Sequence, residues 1–159
     1  MTTDRFILSA QERSVLSDLV AQFTDILDQG SAADDPALAR LAPSVYPDDD
    51  DASREFRRLT EADSVTRRQQ DAAVVAEAIA AADGVSTQNP VAILLDAQTT
   101  PAWMRTLSAL RLVLASRLGI AAGGPERDTT TTELDPNSPV VGIYEWLGYQ
   151  LERVVLSAS

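Results

Sequence analysis

FILSAQERSVLSDLVAQFTDILDQG, residues 6–30, switches within a few positions from a strand-like to a helical pattern. Phe6, Ile7 and Leu8 make an apolar run too short for a helix, which reads as a brief strand. Ser9 follows, with Glu12 three residues on. At that spacing the side chains of the cap residue and the third helical residue satisfy each other's free backbone N–H groups, so a helix starts here. Along it Val15, Leu16, Leu19, Val20, Phe23, Ile26 and Leu27 recur at helical spacing on one face, and Arg13, Ser17, Asp18, Gln22 and Asp25 fall to the other. Gly30 supplies the stop.

The same grammar returns later in the chain. ILSAQ at 7–11 is echoed by LLDAQ at 94–98, and Leu16, Val20, Phe23 and Leu27 share their mutual spacing with Trp103, Leu107, Leu110 and Leu114. Each half reads as a strand followed by a helix, and the two short strands, about 5–8 and 91–95, are expected to pair with each other. The second helix runs from about Pro101 to Leu118, with Pro in its first turn and Gly119 just past its end.

Between the halves, Pro36 opens a short helical piece carrying Leu38 and Leu41 that Pro43 closes. A helix over about 53–59 follows, and Thr60 with Asp63 launches an Ala-rich one through Ala82, with Val65, Ala72, Val75, Ala76 and Ile79 as its stripe. Residues 121–138, rich in Gly, Thr, Asp and Pro, read as a mobile surface loop. A last helix, Pro139 to Leu156, buries Val140, Ile143, Tyr144, Leu147, Leu151, Val154 and Val155. Trp146, Tyr149 and Leu156 lie outside that stripe. Either the monomer encloses the helix on more than one side, the preferred reading, or these three residues form a second sticky surface. The expected fold is mainly α: one domain over residues 1–159, a helical bundle of five to six helices with a minor two-stranded β pairing.

What is missing bounds the chemistry. The 159 residues suffice for a core, and with 45% hydrophobic but 5% aromatic residues it is an aliphatic one. There is no Cys, no His and no Lys, all 13 basic residues being Arg. That removes disulfides, thiolate nucleophiles, imidazole bases and ligands, Schiff bases and the P-loop lysine. A net charge of −11 repels nucleic acid and anionic lipid. Arg54, Arg57, Arg58, Arg67 and Arg68 read as solvated helix faces. The run Asp48 to Asp51 lacks the ligand spacing of a calcium loop and reads as a helix-start cluster. Gly123 and Gly124 follow no strand and form no phosphate loop. Arg105, Arg111 and Arg117 are expected in structural ion pairs, with Arg111, nearest the apolar stripe, buried in one. No catalytic, cofactor-binding or metal site is predicted. The N-terminus has no signal-like apolar run and no segment is long enough to span a bilayer, so a cytoplasmic protein is expected.

PSVYPDDDDASREFRRLTEAD at 43–63, AWMRTLSALRLVLASRLGI at 102–120 and YEWLGYQLE at 144–152 together resemble the actinobacterial domain-of-unknown-function family number two thousand and seventeen. The opening ILSAQERSVLSDLV is similar to that family's start. The family pattern carries Asn-Asp where this chain has Ser108 and Ala109, so no site is carried over there. The resemblance implies a small helical cytoplasmic protein, often encoded beside the Clp protease adaptor that selects substrates by their amino terminus, with no activity established.

Two functional readings result. The first is a non-enzymatic protein-interaction module with Trp146, Tyr149 and Leu156 as its candidate surface, its partner a component near the Clp system or a second copy of itself. The second is a small-ligand binder or enzyme that gathers carboxylates and Arg in a helical pocket. Neither nucleic acid nor membrane is an expected partner.

Overall fold

A computed structural model describes residues 4–29, 50–118 and 138–157, with side chains for 5–28, 55, 63–118 and 138–157. The elements run β1 (Asp4–Leu8), α1 (Ala10–Gln29), α2 (Asp50–Val85), β2 (Val91–Leu95), α3 (Thr99–Leu118) and α4 (Pro139–Ser157).

The two strand-to-helix entries close alike. At the first, the Ser9 amide donates to Glu12 Oε1 at 2.9 Å and the Glu12 amide donates to Ser9 Oγ at 3.1 Å. At the second, the amides of Gln98 and Thr99 donate to Asp96 Oδ1, each at 2.8 Å, and the Asp96 amide donates to Thr99 Oγ1 at 3.0 Å. The Thr99 and Gln98 amides hold the Asp96 carboxyl below its ordinary value. This cap starts α3 at Thr99, two residues ahead of the Pro101 that the sequence offers as its first turn.

β1 and β2 pair antiparallel, with Phe6 opposite Ile93 and Leu8 opposite Val91, as the two apolar runs predict. Alternation along the strands turns Phe6, Leu8, Ile93 and Leu95 into the core, while Ile7 and Leu94 stay 51% and 62% exposed. Beneath the sheet Phe6 meets Trp103 edge to face, ring centroids 5.4 Å apart. Leu16, Val20, Phe23 and Leu27 of α1, Val75 and Ile79 of α2, Leu107 and Leu110 of α3 and Leu147 and Val154 of α4 complete one core. Each such side chain, fully buried, stabilises the fold by roughly 1.5–3 kcal/mol.

Four helices occur among the described residues, fewer than the five to six the pattern predicts. Where the sequence suggests one helix over 53–59 and another from Thr60, α2 continues without interruption. No Gly or Pro lies between residues 50 and 83. Nothing in the backbone forces a break there, and the Thr60–Asp63 pair falls inside a helix instead of starting one. The short piece expected around 36–43 and the run Asp48–Asp49 lie outside the described residues, as does the expected 121–138 loop apart from Ser138. Among the described residues no helix is long and apolar enough to cross a membrane.

Candidate functional site

Two polar assemblies flank β1. The first centres on Arg13, which the helical pattern assigns to the solvent face of α1. The structure buries it completely, with 0% exposure. Its Nη1 donates to the carbonyls of Leu8 at 2.9 Å and Asn89 at 3.0 Å, its Nη2 to that of Ser86 at 2.6 Å, and its Nε to Asp83 Oδ1 at 2.8 Å. One guanidinium thereby ties the end of β1 to the end of α2 and the turn into β2. Arg13 precedes Leu16 and Val20 by three and seven positions, so it sits on the buried stripe, but a polar residue at that spacing carries no sign of its own burial.

The second assembly joins α1, α4 and β1. Glu12 Oε1 is occupied by the Ser9 amide, while Oε2 accepts from Trp146 Nε1 at 3.2 Å and Gln150 Nε2 at 3.0 Å. Burial works against the charge on Glu12. The Ser9 amide, the Trp146 indole, the Ser9 hydroxyl and the charge of Arg153 outweigh it and hold the carboxyl below its ordinary value. Gln150, fully buried on the inner stripe of α4 between Leu147 and Val154, passes the network on, its Oε1 accepting from Arg153 Nη1 at 2.8 Å. Arg153 Nη2 donates to the Ile7 carbonyl at 3.0 Å, and its guanidinium lies over the rings of Phe6 at 4.8 Å and Tyr149 at 5.8 Å.

The three residues of the expected interaction surface part company. Trp146 turns towards α1, half-buried, its indole committed to Glu12. Tyr149 and Leu156 stay at the surface, 59% and 67% exposed, beside Arg153 in the helix. Val140 and Val155 are exposed as well, so the described residues leave part of the α4 surface uncovered.

Trp146 also walls a groove of about 270 Å³ between α1 and the start of α4, with Val15, Pro139 and Ile143 as apolar lining and Glu12 as its carboxylate. Among the described residues no arginine lines it. Elsewhere Arg105 grips Asp71 through two bonds of 2.8 and 2.9 Å, the ion pair expected of it, and the bond to Asp71 raises the guanidinium's pKa. Arg111 takes a ring instead of the predicted carboxylate: its guanidinium stacks 4.7 Å over Tyr144 and against Gly148. A planar cation is held this way without a counter-charge. Among the described residues no three acidic side chains gather closely enough to hold a metal ion.

A family model described as "Domain of unknown function (DUF2017)" matches residues 5–158. No curated protein and no solved structure matches the chain.

Proposed function

We propose that this chain, which belongs to the domain-of-unknown-function family DUF2017, is a non-enzymatic protein-interaction module. One observation carries the reading: exposed Tyr149 and Leu156 on α4 stand with exposed Ile7 on β1 around Arg153, whose hydrogen bond to Ile7 fixes the two elements together. Apolar side chains and an arginine held in place before any partner arrives are the composition of interface centres, and their rigidity lowers the entropy cost of association. The groove beside Glu12 supports a ligand-binding or enzymatic reading less well, since it offers a single carboxylate already holding three donors.

The partner we assign is a component of the regulated-proteolysis machinery, the Clp adaptor encoded near such chains, on the strength of the family resemblance. The test uses purified adaptor and full-length chain in calorimetry, with Tyr149→Ser and Leu156→Ser as surface variants. Trp146 is unsuitable as a probe because its loss would also strip a donor from Glu12. Binding weakened about tenfold or more by either variant, with an unchanged unfolding midpoint, is the expected result. Absence of heat with the adaptor removes the proteolysis link, and binding indifferent to both variants removes the surface.

A further inference from the structure

The two edges of the small sheet are treated differently. In an antiparallel pair, backbone groups point alternately towards the partner strand and away from it. The Ile7 carbonyl points away from β2, because Arg153 on α4 bonds it from the other side. Its opposite residue Ala92, and Leu94 opposite Arg5, therefore direct their N–H and C=O groups out of the far edge of β2. Among the described residues nothing pairs with those outward groups. Between Pro90 and Asp96, which bound the edge, VAILL itself contains no charge and no proline, and Leu94 stands 62% exposed.

We propose that the outer edge of β2 is a strand-addition site that takes an extended, net-basic segment of a partner protein as a third strand. The free N–H and C=O groups of Ala92 and Leu94 specify an extended backbone, and Leu94 specifies apolar residues in alternation. Charge sets the rest. At −11 the molecule repels a second copy and attracts a basic segment, and exposed Asp96 stands at the end of the strand. Size agrees: five residues of edge fall far short of the roughly 20–30 a side that a stable interface between folded subunits commits, and suit a short peptide. The inference rests on the interaction-module reading but uses a face separate from Tyr149 and Leu156.

The test is a titration of the full chain with a synthetic peptide alternating Val and Arg, followed by amide NMR and hydrogen exchange, beside an otherwise identical peptide carrying Glu for Arg. The basic peptide should shift the amides of Ala92 and Leu94 and slow their exchange about tenfold, as pairing protects an open edge. Ala92→Pro removes an outward N–H at a position where edge strands tolerate proline. Leu94→Lys places a like charge at an exposed position that the fold does not need. Each variant should weaken capture about fivefold or more, with the lysine variant guarding against misfolding of the other. Equal binding of the acidic peptide, or no binding of the basic one, overturns the proposal. So does a dimer of the chain alone that Leu94→Lys dissolves, which would give the edge to a second copy. Shifts at Tyr149 and Leu156 without shifts at β2 would leave the module reading standing and this one refuted. Shifts at β2 alone, with adaptor binding absent, would leave this inference standing and remove the link to the adaptor and its surface.

Discussion

Glu12 shows how much one side chain can be asked to do. Three donors converge on its carboxylate from α1's own cap and from α4, so Glu12→Gln must turn its amide NH₂ against either the Ser9 amide or the Trp146 and Gln150 donors. Gln150 cannot flip to relieve this without losing Arg153. The expected cost is about 1–3 kcal/mol in urea unfolding at neutral pH. Because the native Glu12 pKa lies below its ordinary value, its stabilisation is present above that ordinary value and is lost as pH falls through the lowered one. The difference between parent and variant should therefore shrink in acid; a gap that stays constant across that window would assign the effect to packing. Arg13→Met removes the fork from three carbonyls and Asp83 and should cost about 3 kcal/mol or more. Arg13→Lys should recover only part of that by the same unfolding measurement, since an ammonium cannot span four acceptors set for a guanidinium.

At the scale of elements, α4 carries two glycines with different surroundings. A Cβ at Gly142 would meet nothing within 4 Å, whereas at Gly148 it would press on the Arg111 guanidinium at 3.2 Å. Gly142→Ala should raise stability by about 0.5–1 kcal/mol through helix propensity, read as a higher unfolding midpoint. Gly148→Ala should gain less, because Arg111 must shift from its place over Tyr144. The elements themselves were largely legible: the capping box at Ser9, the paired apolar runs and the stripes on α1 and α3 each rest on local spacing. The unity of α2 was not, because a cap motif at Thr60 looks the same at a helix start and inside one until the neighbouring backbone is known. Polar residues on buried stripes were the other blind spot. Residue type and spacing do not mark Arg13 or Gln150 as interior, since most of the groups that satisfy them, Asp83, Ser86 and Asn89 for the one and Glu12 for the other, come from far along the chain. The candidate surface was read half-way. Helical spacing separates Trp146, Tyr149 and Leu156 from the main stripe, but only the position of α1 shows that Trp146 turns inward.

For the whole molecule the net charge of −11 is the dominant long-range term. Self-repulsion strains the folded state more than the expanded one, so moving from about 0.01 M to about 0.15 M salt, which shortens the screening length from roughly 30 Å to roughly 8 Å, should raise the urea midpoint. A midpoint that fell would mean that ion pairs such as the part-buried Arg105–Asp71 outweigh the repulsion. One feature of the architecture also sets a schedule. β1 has no partner until β2, nearly ninety residues later, and its bond from Arg153 spans 146 positions. On a ribosome adding about 5–20 residues per second, the first strand emerges and then waits on the order of ten seconds for the helix that finally secures it. Until β2 emerges Phe6, Ile7 and Leu8 are an unclaimed sticky end, and from then until α4 follows they hold only that one partner strand. The nascent chain is thus most exposed to capture by chaperones or by its neighbours at β1, and a messenger cut short before Arg153 would leave that strand without its clasp.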